Sequence, residues 1–121
     1  MIGIGIDAVD LARFRAVVAR RPDVLARLFT PAEQAELATR ADPLPGLAAR
    51  FAVKEAAMKA LGVGLGSVAF CELEVVGGSG KPPGLRVTGR AADRAVLLGV
   101  TSWHLSLTHS DSVAAAVVVA Q

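Results

Sequence analysis

The stretch that most constrains this chain is LAARFAVKEAAMKAL, Leu47 to Leu61, which reads as a helix ending at Gly62. On a wheel of 100° per residue, Leu47, Phe51 and Met58 form one apolar stripe, and Ala49, Ala52, Val53, Ala56 and Ala60 line the opposite side. Neither face belongs in water, so the helix is expected to be buried on two sides with Arg50, Lys54, Glu55 and Lys59 on its flanks. An unpaired charge in such a place is costly, and each of the four therefore needs a partner. Glu55 and Lys59, spaced i and i+4 with the acid first, can pair with each other, but this contributes only about 0.2–0.5 kcal/mol. A metal ion or phosphates would neutralise the set far better. A structural network of ion pairs is the other reading.

The amino terminus, MIGIGIDAVD, has the period of a strand. Ile2, Ile4 and Ile6 share one face, expected to pack, while Gly3, Gly5 and Asp7 share the other, expected to be bare backbone ending in a carboxylate. Glycine brings no packing surface and loses the most entropy on folding. Two on one face therefore mean that something approaches closely, either a neighbouring strand or helix or a ligand.

Between and beyond these segments the pattern is readable. Asp10 caps a helix from about Leu11, which RRPD at Arg20 to Asp23 interrupts. TPAE at Thr30 to Glu33 is a helix start, with Thr as N-cap, proline in the first turn and Glu placed for a capping box. ADPLPG, Ala41 to Gly46, reads as a loop. After Gly62 and a VGLGS connection the period changes to that of strands at Glu72 to Val76 and Leu85 to Thr88, joined by GGSGKPPG. A short helix from about Arg90 to Leu98 closes at Gly99, Trp103 to Thr108 alternates like a strand, HSDS turns, and VAAAVVVA, Val113 to Ala120, is a buried strand. The order of elements is that of an α+β fold with an antiparallel sheet and packed helices, one domain over residues 1–121.

Composition narrows the class. Hydrophobic residues make up 53% of the chain, yet the longest clear apolar run, Val113 to Ala120, is too short to cross a bilayer, so the surplus is expected in a subunit interface rather than a membrane. The N-terminus has no basic region followed by an apolar one, so no secretory signal is expected. The single cysteine, Cys71, suits a reducing compartment and a cytoplasmic location. Net charge is only +2, but Arg13, Arg15, Arg20, Arg21 and Arg27 crowd a stretch holding one acid, Asp23. This points to an acidic partner, or to a solvated helix face. Nucleic acid is disfavoured, because few aromatic residues interleave with the arginines.

Two further segments carry polar groups. In WHLSLTHSD, Trp103 to Asp111, the residues Trp103, Leu105 and Leu107 face the core, while His104, Ser106 and Thr108 share the other face. The two histidines lack zinc-ligand spacing, which leaves phosphate or substrate contact as their functional reading. GGSGKPPG is no phosphate-binding P-loop, since Pro82 stands where Ser or Thr is required.

Taken together, GIDAVDLARF (Gly5 to Phe14), ARFAVKEAAMKALG (Ala49 to Gly62) and HLSLTHSD (His104 to Asp111), with GKP at Gly80 to Pro82, resemble the holo-acyl-carrier-protein synthases, the small trimeric class of 4′-phosphopantetheinyl transferases. The resemblance spans almost the whole chain; the region from Arg15 to Gly46 matches only in character, and Thr108 stands where the family more often has Ser. It implies the 4′-phosphopantetheinyl transferase fold and a Mg²⁺-dependent transfer of 4′-phosphopantetheine from coenzyme A to a serine of apo-acyl carrier protein, releasing adenosine 3′,5′-bisphosphate. By the same resemblance Asp7 and Glu55 would hold Mg²⁺, with the glycine face beside Asp7 leaving space for the metal and the pyrophosphate. Glu55, directly or through water, would take the serine proton, and Lys59 would stabilise charge on the leaving phosphate. Arg50, His109 and the Gly80–Lys81–Pro82 turn would contact the nucleotide of coenzyme A and its 3′-phosphate, with Lys54 among the coenzyme A contacts and His104 near the pyrophosphate. Arg13, Arg20 and Arg21 would meet the acidic helix of the carrier protein. A homotrimer with sites between subunits, and a role in fatty-acid or polyketide biosynthesis, complete what the resemblance implies. Two other classes stay open at this level: a binding module for coenzyme A or a carrier protein, which would not need Asp7 and Glu55 together, and a metal-dependent phosphohydrolase using the same acids.

Overall fold

The fold is built around the helix singled out above. The computed structural model describes residues 1–78 and 80–121; Ser79 of the GGSGKPPG segment lies outside the described residues. The elements run β1 (Gly3–Asp10), α1 (Leu11–Arg20), α2 (Val24–Leu28), α3 (Pro31–Leu37), α4 (Leu44–Leu61), a 3₁₀ turn (Phe70–Glu72), β2 (Leu73–Val76), β3 (Gly84–Val87), α5 (Gly89–Leu98), β4 (Trp103–His109) and β5 (Val113–Ala120). β1, β5 and β4 form an antiparallel sheet in that order, and β2 pairs with β3 in a separate antiparallel ribbon. The class is α+β, as expected, with two small sheets instead of one.

α4 is buried on both sides. Val53 and Leu61 pack into one cluster with Leu73 and Val118, and Leu47 packs into a second with Phe14 of α1, Leu37 of α3 and Phe29, which follows α2. The helix starts three residues earlier than expected, at Leu44, and takes Pro45 and Gly46 into its first turn. Proline fits there because its missing N–H would have no intrahelical acceptor. Gly62 closes the helix at φ +67°, with its N–H on the carbonyls of Lys59 and Met58.

The other caps form as read. The Asp10 carboxylate accepts from the Arg13 N–H, and Thr30 and Glu33 make a reciprocal capping box. Glu33 does more than cap. It is buried, and its carboxylate also accepts from Lys54 Nζ at 2.6 Å and from the Val75 N–H at 3.1 Å, so one side chain ties α3, α4 and β2 together. Burial pushes the Lys54 ammonium down from its ordinary value, and the Glu33 carboxylate pulls it back up. This is the structural ion pair that two-sided burial of α4 demands.

β1 is where the expected packing is reversed. The isoleucine face is the open one, with Ile2, Ile4 and Ile6 exposed at 42%, 58% and 68%. The glycine face is the packed one. A Cβ at Gly3 would stand 2.0 Å from the Ala60 carbonyl oxygen, and one at Gly5 would stand 1.8 Å from that of Ala56. The reading in which a neighbouring helix lies on the glycines is therefore the correct one. Only a strand without side chains there admits the α4 backbone so closely, and the bulky residues are left to the other side.

Candidate active site

That close approach sets the site. Just past Gly5, Asp7 on β1 comes level with Glu55 and Lys59 on α4. Lys59 Nζ donates to the Ile6 carbonyl at 2.9 Å and stands 3.3 Å from Asp7 Oδ1. The ammonium thus pairs with Asp7 across the strand–helix seam instead of with Glu55 one turn back. Burial lifts the Glu55 carboxyl above its ordinary range; the Asp7 charge lifts it further, and Lys59 opposes both. The space expected beside the glycines for a metal and pyrophosphate is occupied by α4. The room begins at Asp7, two residues past Gly5.

Asp7 and Glu55 share the wall of a cavity of about 650 Å³, otherwise lined mostly by apolar side chains of β1, α1, α2 and α4, among them Phe14, Val17, Leu28 and Phe51, with Arg13 and Arg27 also facing it. Within the single chain both carboxylates line this one cavity. The apolar wall was not read from sequence as part of a site. Phe14 and Phe51 look like ordinary core residues, and their tilted rings, 5.8 Å apart, meet only when α1 folds across α4. Arg27 belongs to the arginine cluster already noted, and only the turn between α1 and α2 brings it round to the cavity.

The remaining candidates divide. Arg50 is 4% exposed and donates to the carbonyls of Val75 and Gly77 at 2.9 and 3.2 Å, at the start of the turn that carries Gly80, Lys81 and Pro82. In that turn the Gly78 N–H donates to the Lys81 carbonyl at 2.9 Å. Gly77, at φ +74°, has no room for a side chain, since a Cβ would stand 2.5 Å from the Pro82 carbonyl oxygen. Lys54, expected among the coenzyme A contacts, is instead fully buried on Glu33 and the Phe70 carbonyl, with no surface left for a ligand. His104 and His109 are both exposed, and His109 lines a cleft with Arg50 on the far side of α4 from the carboxylates. Arg20 and Arg21 lie exposed at the end of α1.

The donor set for a metal is two carboxylates; among the described residues no group of three or more His, Cys, Asp or Glu is placed to hold an ion. Two hard oxygen donors suit Mg²⁺, which takes one or two carboxylates and fills its octahedron with water and phosphate. Burial and, after it, the Asp7 charge raise Glu55, and a cation held by the two carboxylates would relieve the repulsion between them.

Residues 3–118 match the 4′-phosphopantetheinyl transferase superfamily. The chain belongs to that superfamily. Within it the likeness is to the holo-[acyl-carrier-protein] synthases. The chain is 48% identical over 121 residues to that of Frankia casuarinae, covering 100% of this chain and 98% of the relative. Its fold superposes on the synthase from Neisseria meningitidis with a TM-score of 0.89 at 29% identity, covering 100% and 98% of the two chains. The synthase from Helicobacter pylori, solved in complex with coenzyme A, superposes with a TM-score of 0.82 at 29% identity, covering 98% and 99%.

Proposed function

We propose that this chain, as one transferase domain over residues 1–121, transfers 4′-phosphopantetheine from coenzyme A to a serine of apo-acyl carrier protein and releases adenosine 3′,5′-bisphosphate. The observation that carries this reading is the meeting of Asp7, Glu55 and Lys59 at a cavity wall, in a chain of the synthase family. The serine oxygen forms a bond to the β-phosphorus, and the bond from that phosphorus to the bridging oxygen breaks. Glu55 takes the serine proton, directly or through water, and its raised pKa strengthens it for that role. Lys59, half-exposed beside Asp7, stabilises the charge that gathers on the departing phosphate. Asp7 and Glu55 would hold Mg²⁺, which when bound supplies positive charge to the pyrophosphate.

In a single chain these groups lie on the other side of α4 from Asp7 and Glu55, so in a homotrimer with sites between subunits His109, Arg50 and the Gly80–Lys81–Pro82 turn of one subunit would grip coenzyme A, with His104 near the pyrophosphate, against the carboxylates of its neighbour. Arg50 serves there through the turn it braces. Lys54 is left out of the binding set because its ammonium is sealed in the core.

The carrier protein would meet Arg13, Arg20 and Arg21, with Arg13 nearest the reacting groups because it shares their cavity. Replacing Arg13 by Glu is expected to raise KM for the carrier protein about tenfold and leave KM for coenzyme A within about twofold, by loss of an ion pair and gain of a repulsion. Steady-state kinetics with each substrate varied in turn checks this; equal effects on both would make Arg13 structural.

A homotrimer accounts for the outer face of the sheet. Ile4 and Ile6 pair in register with Val119 and Val117, an apolar row that α4 does not cover. Sedimentation at micromolar concentration is expected to give a trimer mass, and a monomer mass would remove this part of the reading. No described helix is long and apolar enough to cross a membrane. With its lone cysteine, the chain fits a cytoplasmic enzyme of fatty-acid biosynthesis, with polyketide biosynthesis as the second setting.

The test of the reaction class is the release of adenosine 3′,5′-bisphosphate from coenzyme A with and without apo-carrier protein. Release only with the carrier supports transfer. Release without it identifies a phosphohydrolase.

A further inference from the structure

β2 and β3 form a ribbon of two strands outside the main sheet, and a ribbon of two strands is marginal by itself. What holds it against the helices is visible at Val75. In register opposite Leu85, Val75 turns its N–H and its carbonyl to the outer edge of the ribbon, where no third strand lies among the described residues. Two charged side chains take that strand's place. Arg50 Nη1 donates to the Val75 carbonyl at 2.9 Å, and the Val75 N–H donates to Glu33 Oε2 at 3.1 Å.

Glu33 is the less expected of the two, because it is a carboxylate only 1% exposed. Its Oε1 accepts from the Thr30 N–H at 3.0 Å and from Lys54 Nζ at 2.6 Å, and Lys54, equally buried, also donates to the Phe70 carbonyl at 3.0 Å. A buried ion pair is seldom more stabilising than apolar side chains of the same size, so stability alone does not account for this one. What the carboxylate offers that an apolar group does not is direction. Its two oxygens fix three donors in place, one at the cap of α3, one on α4 and one on β2.

The strand held in this way leads straight into the turn that carries Lys81. Gly77, where the turn begins, follows Val75 by two residues, and Val76 pairs back with Gly84 on the far side of the turn. A shift at Val75 is therefore passed along the backbone to Lys81, with no separate element between them to absorb it. We propose that Glu33 is a positioning residue for coenzyme A. By fixing the Val75 N–H it sets where the Gly80–Lys81–Pro82 turn stands relative to Arg50 and α4, although it touches no substrate itself. This role rests on the transferase reading above, in which that turn grips coenzyme A, and adds to it a residue that sets the grip from inside the core.

Two variants separate positioning from stability. Glu33→Asp keeps the counter-charge of Lys54 and shortens the reach to Val75 by one methylene. Glu33→Leu combined with Lys54→Met removes both charges together, so that neither is left buried alone. Steady-state kinetics are measured well below the unfolding temperature of each protein, with coenzyme A and apo-acyl carrier protein varied in turn. The double variant is expected to raise KM for coenzyme A about tenfold, the size of a misplaced charge-assisted contact, and to leave kcat and KM for the carrier within about twofold. Glu33→Asp is expected to raise KM for coenzyme A about threefold, because the carboxylate stays and only its reach is lost. Lys81→Ala is expected to raise KM for coenzyme A about tenfold in the wild-type background and less than about twofold in the double variant, where Lys81 is already displaced.

A residue that only stabilises the fold would lower the active fraction, and so kcat, without moving KM for one substrate alone. Unchanged KM for coenzyme A in the folded double variant, equal increases for both substrates, or a full effect of Lys81→Ala in that variant would overturn the positioning role. If the double variant does not fold, Glu33→Asp decides between the same outcomes, and an unfolded Glu33→Asp protein would make Glu33 a stability residue and overturn the role as well. Absence of transfer by the wild-type protein from coenzyme A would instead remove the transferase reading itself, so the two failures are distinguishable.

Discussion

Asp7→Ala and Glu55→Ala are each expected to cut Mg²⁺-dependent transfer by at least about 10²- to 10³-fold, the scale on which loss of one charge-stabilising group acts at a reacting centre. The fold should persist in both variants. Asp7 lies at the wall of an open cavity, and its carboxylate is one of the two influences raising Glu55, so removing it relieves a repulsion while giving up a partly exposed pair with Lys59. Circular dichroism melts within a few degrees of wild type, alongside collapsed turnover, are the expected pairing. Near-wild-type turnover in either variant would show that the two carboxylates are not the metal site. An unfolded Asp7→Ala protein would mean that the Lys59 contact holds β1 to α4, and the isosteric Asp7→Asn would then carry the test.

The second large effect is structural. Gly5→Ala adds a single methyl group 1.8 Å from the Ala56 carbonyl oxygen, where no real carbon can stay. β1 and α4 must then part by more than an ångström along their shared seam. Overpacking in a well-filled core costs about 1–3 kcal/mol, and here the obstacle is rigid backbone rather than a side chain able to rotate, so about 3 kcal/mol or more is expected. For a domain of this size that is a drop in Tm of about 10 °C or more. Activity should fall even in the folded fraction at low temperature, because the same seam aligns Asp7 with Glu55 and Lys59. Ile4→Ala makes the contrast: Ile4 faces away from α4 and is 58% exposed in the single chain, so its loss should leave that alignment intact and register in subunit association instead. A Gly5→Ala variant that melts like wild type would refute the close approach.

These two predictions mark where sequence reading succeeds and where it stops. Caps and periods carried most of the elements. Asp10, the Thr30–Glu33 box, Gly62 and Gly99 all cap helices as their chemistry requires, and the VAAAVVVA strand has the bounds expected of it, although it is buried on one face only, at Ala114, Ala116, Val118 and Ala120. The start of α4 did not show, because a first-turn proline is compatible with a loop and with a helix alike. The direction in which β1 faces did not show either. A strand of alternating isoleucine and glycine presents its bulk to one side, and local chemistry cannot say whether that side meets the core or another subunit. Only the position of α4, a long-range fact, decides it. The same limit applies to charge: the sequence demanded partners for Arg50, Lys54, Glu55 and Lys59, and the fold supplies two kinds. Lys54 finds Glu33 inside the core and Arg50 finds carbonyls, while Glu55 and Lys59 come to Asp7 at an open cavity. Which charge went to which environment depends on rotation of α4 by a fraction of a turn.

The measurement that bears most directly on the central claim is the intact mass of an apo-acyl carrier protein after incubation with this protein, coenzyme A and Mg²⁺, with a parallel sample in EDTA. The account predicts a mass gain equal to one phosphopantetheine group in the first sample and none in the second. An unmodified carrier in the presence of Mg²⁺, across fatty-acid and polyketide carriers and with the protein folded and binding coenzyme A, would contradict it and leave a module that binds coenzyme A without transferring from it.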